Sequence, residues 1–129
     1  NLHSHVNRYQ GIVRSNLTCE PTMICTFDGI DFIVGRTDAR PGDNIYLTLF
    51  PSDVIVALEK PHDVSVENVM AGTIVEVVFL NGRVILRVDV GVEVCAEVGA
   101  KFVRDLDISV GRRLWVLTKA NSFQIGSRK

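Results

Sequence analysis

Residues 72–90 read GTIVEVVFLNGRVILRVDV, and this stretch decides the fold class. After its middle, Val84, Leu86, Val88 and Val90 alternate with largely charged residues, which is the two-residue period of a strand with one buried face. The dipeptide at 81–82 is Asn-Gly, which tolerates positive φ at both positions and is typical of a tight hairpin turn. The stretch therefore predicts two antiparallel strands, over 72–79 and 83–90.

The composition of the whole chain also favours strands. Its 129 residues include 20 Val, 10 Ile and 7 Thr, but only 6 Ala and 2 Gln. A hydrophobic content of 47% with 22% charged residues argues against disorder, and no apolar run reaches the ~20 residues of a membrane helix. The net charge of −1 and an aromatic content of 7% argue against a nucleic-acid binder.

Two similar series of strands follow each other along the chain. In the first half we expect strands over 9–14, 22–27, 30–34, 44–50 and 54–58. In the second half we expect strands over 72–79, 83–90, 92–98, 112–119 and 123–125, with a helical turn over 101–107. The order of elements is the same apart from that turn, which indicates an internal repeat.

The spacing of three glycine pairs supports the repeat. The pairs are 61, 62 and 69 positions apart: Gly11 with Gly72, Gly29 with Gly91, and Gly42 with Gly111. The seven extra positions before the last pair fall on the expected helical turn, and one loop insertion is what a duplicated fold tolerates.

We therefore predict an all-β chain of two tandem five-stranded OB-like small barrels, with at most a short helix in the second half. The barrels are expected to span residues 1–60 and 64–129, with a polar linker over 59–63. Because barrels this small bury little surface, we expect them to pack together or to pair between chains.

Signatures of catalysis are missing from the sequence. It has no phosphate-binding GxxxxGK[ST] loop, no GxSxG and no HExxH, and its cysteines lack the CxxC spacing. We expect no enzymatic activity, no metal and no cofactor. His3 and His5 supply at most two ligands and are expected to lie in a flexible tail, and His62 lies in the linker.

The termini and cysteines bear on the setting of the protein. The chain begins at Asn1 without a secretory signal, so we expect a fragment or a processed product of a longer protein. Its three cysteines, Cys19, Cys25 and Cys95, are too few and too odd in number for a disulfide framework, which favours the reducing cytoplasm.

Two segments carry a resemblance to a known family. SVENVMAGTI at 65–74 and GRRLWVLTKA at 111–120 resemble the Mop or TOBE module of molybdate-handling proteins, whose pattern is roughly Ser-x-Arg-Asn-x-x-x-Gly, with a later strand ending in Lys-Ala. LTLFPSDVIVALEKP at 47–61 resembles the segment that joins two such modules at the C-terminus of the ATPase subunit of molybdate ABC importers.

This resemblance implies a regulatory domain that binds molybdate or tungstate. It further implies a homodimer and an ATPase domain in the same chain. The protein would lie in the cytoplasm, peripheral to the inner membrane, where it assembles with membrane subunits of a transporter without inserting into the bilayer. Carried over to this sequence, the oxyanion-binding residues are Ser65, Asn68, Lys119 and Ala120.

The sequence departs from the family pattern at the expected site. Glu67 stands where the family has Arg, and a like charge beside a dianion costs on the order of 1 kcal/mol or more. The hydroxyl residues of the family fall near Cys95, Ala96 and Gly99, and the Lys position in the first half is Phe50. One hypothesis is that Glu67 pairs with Lys119 and blocks the site.

Three alternatives to the importer subunit stay open on the sequence. They are a free-standing cytoplasmic oxyanion store, the ligand-sensing domain of a molybdate-responsive transcription regulator, and an OB-type nucleic-acid binder.

Overall fold

The computed structural model describes residues 5–127, which form ten strands and one α-helix. The elements are β1 (Asn7–Ser15), β2 (Thr22–Phe27), β3 (Ile30–Gly35), β4 (Asn44–Leu49), β5 (Ile55–Ala57), β6 (Asn68–Leu80), β7 (Arg83–Asp89), β8 (Glu93–Gly99), α1 (Ala100–Asp105), β9 (Arg113–Thr118) and β10 (Gln124–Ser127). Short 3-10 helices, Pro51–Asp53 and Ala120–Ser122, precede β5 and β10. The predicted all-β class, with a short helix in the second half, is confirmed.

The strands form two five-stranded antiparallel sheets that exchange their last strands. The first sheet has the order β10-β4-β1-β2-β3 and the second has the order β5-β9-β6-β7-β8. In the first sheet Ile125 is opposite Leu47, and in the second Val56 is opposite Val116. Each sheet is therefore completed by a strand from the other half of the chain.

This exchange corrects the expectation of two sequence-contiguous barrels over 1–60 and 64–129. The 3-10 helix Pro51–Asp53 lies against β8, and Ala120–Ser122 lies against β3, so each carries the chain across to the other half before its last strand begins. Periodicity identifies such a strand but not its partner, because the same apolar alternation fits either sheet.

The backbone repeats closely between the halves, as the glycine spacing predicts. Gly42 donates its N–H to the carbonyl of Val13, and Gly111 donates to that of Ile74, both at 2.8 Å. The two glycines have φ of +94° and +93°, values that favour glycine. Bulges interrupt β1 and β6 directly after Val13 and Ile74. The predicted duplication is thus present in the hydrogen bonds themselves.

The helix α1 occupies the predicted insertion. It buries Val103 and is followed by Ile108, which is also buried and donates its N–H to the Val103 carbonyl at 3.0 Å. On the outer side Lys101 pairs with Asp105 one turn away. The insertion therefore adds two buried apolar residues, Val103 and Ile108, to the core of the second half.

One hydrophobic core runs through both halves. Tyr9, Phe27 and Phe32 of the first half form an aromatic cluster with centroids 5.3–5.5 Å apart. Phe123 of the second half joins it through Phe32 at 5.5 Å. Because Phe123 lies just before the exchanged strand β10, the exchange and the shared core stabilise each other.

Candidate functional site

The residues expected to bind an oxyanion lie where β6 begins and β9 ends. Asn68 is the first residue of β6 and is opposite Thr118, the last residue of β9. The following residues, Lys119 and Ala120, lead into a 3-10 helix. The antiparallel pairing therefore brings the two separated motifs of the sequence together at one end of the second sheet, where β6 begins and β9 ends.

The carboxylate of Glu67 accepts a hydrogen bond from the backbone N–H group at the centre of this site, that of Ala120. Its Oε1 accepts the backbone N–H of Ala120 at 2.8 Å. That N–H opens the 3-10 helix Ala120–Ser122, so the helix itself offers it no acceptor. The backbone donor that the sequence predicts for an oxyanion is therefore paired with a carboxylate oxygen.

This contact corrects the hypothesis that Glu67 pairs with Lys119. In the part of the chain that the structure describes, Lys119 forms no ion pair, and its side chain is exposed. Glu67 does reach into the site as expected, but its partner is the backbone N–H of Ala120, the residue after Lys119. Among the described residues Lys119 is therefore an unpaired cation, and it directly precedes the Ala120 N–H, which is already hydrogen-bonded to Glu67.

The side chain of Asn68 is hydrogen-bonded to the first half of the molecule. Its Oδ1 accepts the N–H of Ile33 at 2.8 Å, and its Nδ2 donates to the Ile33 carbonyl at 2.8 Å and to the Thr118 carbonyl at 3.4 Å. Asn68 is buried. With its amide groups engaged, it holds β3 against the site and presents no free donor to a ligand.

Asn7 makes the equivalent contact from the first half to the second. The motifs of the sequence did not identify this residue. Its Nδ2 donates to the Cys95 carbonyl at 3.0 Å, and its Oδ1 accepts the Cys95 N–H at 2.7 Å. The signal was available, since Asn7 and Asn68 are 61 positions apart, the same offset as the glycine pair at 11 and 72.

Ser65 lies before β6 and is exposed. Between residues 5 and 127 its hydroxyl has no hydrogen-bond partner, so it is free to meet a ligand. Ser65 and Lys119 therefore stay predictions as ligand-binding side chains, while Ala120 offers its backbone donor only when Glu67 leaves it.

The equivalent place in the first half has lost the donor altogether. The repeat puts Phe50 and Pro51 at the positions of Lys119 and Ala120, and proline has no N–H. Val6 takes the place of Glu67. The first half therefore lacks the lysine and the backbone donor that the second half has at Lys119 and Ala120.

The region where the family places hydroxyl residues serves the contact between the halves. Besides the pairing of Cys95 with Asn7, the hydroxyl of Tyr9 donates to the Glu93 carbonyl at 2.7 Å. Burial raises the pKa of the Tyr9 phenol well above its usual range, with smaller contributions from Cys95 and Glu93. Burial also raises the pKa of the Cys95 thiol. The Tyr9 phenol and the Cys95 thiol are therefore neutral at pH 7, and both residues serve the contact between the halves.

Two further observations limit the chemistry of the described chain. Among residues 5–127 no three His, Cys, Asp or Glu side chains are grouped so that they could hold a metal ion, and His3 lies outside the described residues. None of the helices in the same range is long and apolar enough to cross a membrane.

A cleft in the first half lies away from this site. It has a volume of about 630 Å³ and is lined by residues 37–39, 42–45 and 125 of the first half and the exchanged strand. Its position is equivalent to the end of the second half near α1. None of the expected oxyanion-binding residues lines it.

One family model and two curated relatives match parts of this chain. The TOBE domain model matches residues 64–124. The molybdenum import ATP-binding protein ModC of Haemophilus influenzae is 28% identical over 90 residues, which are 69% of this chain and 26% of the relative. ModC 1 of Azotobacter vinelandii is 31% identical over 97 residues, 73% of this chain and 27% of the relative. The chain thus spans about a quarter of the length of these curated relatives.

A solved structure shares the fold over nearly its whole length. The cytoplasmic molybdate-binding protein ModG, in a form with molybdate bound, superposes with a TM-score of 0.80, covering 95% of this chain and 96% of its own, at 15% identity. The resemblance of residues 65–74 and 111–120 to the Mop or TOBE pattern is thereby confirmed: residues 64–124 are a TOBE domain, in a chain that shares the fold of ModG.

Proposed function

We propose that this chain is the C-terminal regulatory and dimerisation domain of the ATP-binding subunit of an ABC importer for molybdate or tungstate. In this role it senses the oxyanion on the cytoplasmic side of the inner membrane and has no catalytic activity of its own. ATP hydrolysis belongs to a separate ATPase domain of the same subunit, which assembles with the membrane subunits. The similarity to two ModC proteins, both larger than this chain, supports this proposal.

A single contact carries the oxyanion part of the proposal. The Ala120 N–H holds an anionic oxygen, that of Glu67, at 2.8 Å and has the free cation Lys119 beside it. Backbone donors and a lysine are groups that bind tetrahedral oxyanions. An oxyanion would take the Ala120 N–H after Glu67 turns outward, while Lys119 balances its charge and Ser65 offers a hydroxyl.

The internal carboxylate sets the affinity of such a site. Glu67 competes for the same donor and brings a like charge, so an oxyanion binds only at the expense of the Glu67 contact. We therefore expect weaker binding than at a site with the arginine of the family pattern at position 67. A weaker sensor responds at a higher cytoplasmic concentration.

A second candidate is a free-standing oxyanion-binding protein. The fold shared with ModG supports it, because that protein of the same fold is itself a cytoplasmic molybdate-binding protein. A third, the sensing domain of a transcription regulator, requires a DNA-binding domain elsewhere in a longer chain. The −1 charge gives no support to direct nucleic-acid binding.

Calorimetric titration of the purified chain with molybdate, tungstate and sulfate tests the oxyanion site. Binding of molybdate that is lost in Lys119→Ala but kept in Lys101→Ala supports it, since Lys101 is an exposed lysine on α1 that is paired with Asp105. Absence of binding to all three anions contradicts the sensing role and leaves dimerisation.

The importer role needs the full-length subunit in its transporter. We expect molybdate to lower its ATP hydrolysis, and Lys119→Ala to relieve that inhibition. ATP hydrolysis that does not change with molybdate, in a chain that binds the anion, favours the free-standing store or the regulator.

A further inference from the structure

The carboxylate of Glu67 uses only one of its two oxygens. Oε1 accepts the Ala120 N–H at 2.8 Å, and within residues 5–127 Oε2 accepts no hydrogen bond. Glu67 is exposed, so Oε2 is open to a molecule from solvent. A carboxylate accepts hydrogen bonds and donates none. The candidate site therefore presents an anionic acceptor that the backbone already holds in place.

The cation of the site lies on the neighbouring strand. Asn68 and Thr118 are a buried pair where β6 begins and β9 ends. Alternation turns the adjoining side chains, those of Glu67 and Lys119, to the exposed outer side of the sheet. In the part of the chain that the structure describes, these two opposite charges form no ion pair. The Lys119 ammonium can therefore take an anion while the Glu67 carboxylate stays on the Ala120 N–H.

An oxyanion that keeps a proton can use both charged groups at once. Its ionised oxygens accept hydrogen bonds from Lys119, and its O–H donates to Oε2 of Glu67, in a charge-assisted hydrogen bond that offsets the like charge. An oxyanion without a proton has no donor for Oε2 and meets only the like charge there. Such an anion must displace Glu67, whereas a protonated one binds beside it.

At pH 7 the tetrahedral oxyanions fall into two classes. Molybdate, tungstate and sulfate hold no proton, whereas inorganic phosphate keeps at least one. Phosphate and sulfate are close in size and shape, so Glu67 distinguishes them through the proton. A comparison of these two anions therefore shows directly what the open carboxylate oxygen does.

We propose that the site formed by Glu67 and Lys119 binds a protonated tetrahedral oxyanion, such as inorganic phosphate, in preference to sulfate, and that this anion competes there with molybdate. Glu67 is then a specificity-determining residue, because its Oε2 accepts from one class of anion and repels the other. The inference rests on the oxyanion site proposed above and adds a second class of ligand to it. A sensor of this kind responds less to molybdate when phosphate is abundant.

Calorimetric titration of the purified chain at pH 7 with phosphate and with sulfate tests this preference. The wild-type chain should bind phosphate at least about tenfold more tightly, since only phosphate has a donor for Glu67. Glu67→Gln keeps an oxygen for the Ala120 N–H and turns the open acceptor into an amide donor, so the preference should vanish or reverse. Lys119→Ala should weaken the binding of both anions. Glu59→Gln, at an exposed glutamate of the linker, should change neither.

Monofluorophosphate separates the effect of the proton from that of the phosphorus centre, because fluorine replaces the hydroxyl and leaves no donor at pH 7. It should bind the wild-type chain as weakly as sulfate does. A wild-type chain that binds either of these anions as tightly as phosphate, or a preference for phosphate that survives Glu67→Gln, would overturn the proposal. Each ratio compares two anions on one variant, so a variant of lowered stability still gives an answer.

Titration with molybdate separates this inference from the sensing role. A chain that binds molybdate through Lys119 but does not prefer phosphate to sulfate refutes the inference and keeps the sensor. A chain that prefers phosphate through Glu67 but binds no molybdate keeps the inference and refutes the molybdate sensor.

Discussion

The side-chain amide of Asn68 pairs with both backbone groups of Ile33, at 2.8 Å each, as a neighbouring strand would. Ile33 lies in the edge strand β3, so Asn68 satisfies groups that an edge leaves open. Asn7 does the same for Cys95 in β8, an edge strand of the second sheet. The two halves are therefore joined by two equivalent polar contacts as well as by their exchanged strands.

Replacing Asn68 by alanine should destabilise the chain strongly. Asn68→Ala removes two good hydrogen bonds and leaves backbone groups of Ile33 without partners, which should lower the free energy of unfolding by about 2–4 kcal/mol. Urea unfolding measures this change. Asn44→Ala, at an exposed asparagine without a side-chain hydrogen bond to the described residues, should change it by less than about 0.5 kcal/mol.

Asn68→Asp is a second variant that tests the same contact. An aspartate keeps an acceptor for the Ile33 N–H but brings a carboxylate against the Ile33 carbonyl, so it should be at least as destabilising as alanine. An Asn68→Ala variant as stable as Asn44→Ala would show that the contact contributes nothing.

The strands were predictable from the sequence because alternation and turn glycines act locally. The repeat was predictable too, since Gly42 and Gly111 are required by the same backbone turn. The exchange of β5 and β10 was not, because a short apolar strand fits either sheet. At the site, the position of Glu67 was foreseen but its partner was a backbone N–H, which no side-chain motif reveals.

Alanine at Gly11 should be poorly tolerated. A Cβ there would lie 2.2 Å from the Phe27 ring and 2.4 Å from the Thr26 carbonyl oxygen, and a backbone atom cannot move aside cheaply. We expect Gly11→Ala to lower the free energy of unfolding by about 1–3 kcal/mol in urea titrations. Gly126→Ala is the control, since a Cβ at Gly126 meets nothing within 4 Å. Equal stabilities for the two variants would contradict the close packing.

Thr118→Val should stabilise the protein. Thr118 is buried beside Asn68, and within residues 5–127 its hydroxyl has no hydrogen-bond partner. Valine has the same shape without the hydroxyl, so thermal or urea unfolding should show a gain of about 1 kcal/mol. Thr26→Val should have the opposite sign, because the Thr26 hydroxyl donates to Asp31 at 2.7 Å. A loss of stability in Thr118→Val would mean that its hydroxyl is satisfied in solution.

The buried thiol of Cys25 makes stability depend on alkaline pH. Burial raises the pKa of Cys25 from 9.0 to about 11, so between these values the folded chain binds more protons than the unfolded chain. This contribution is complete below pH 9 and falls as the pH rises towards 11, by up to about 2–3 kcal/mol. Urea unfolding of the wild type and of Cys25→Ala across this range isolates the effect, and parallel pH profiles would refute it.

Removing the charge of Glu67 should strengthen oxyanion binding. Glu67→Gln keeps an oxygen acceptor for the Ala120 N–H but takes away the like charge, worth about 1–2 kcal/mol against a dianion at an exposed site, or roughly five- to thirtyfold in affinity. Glu67→Ala also frees the N–H, so molybdate should bind it more tightly still. Glu59→Gln, at the exposed glutamate that begins the linker over 59–63, should change the affinity little. If calorimetry gives the same affinity for the wild type and both Glu67 variants, the Glu67 carboxylate does not compete with the ligand, and the oxyanion does not use the Ala120 donor.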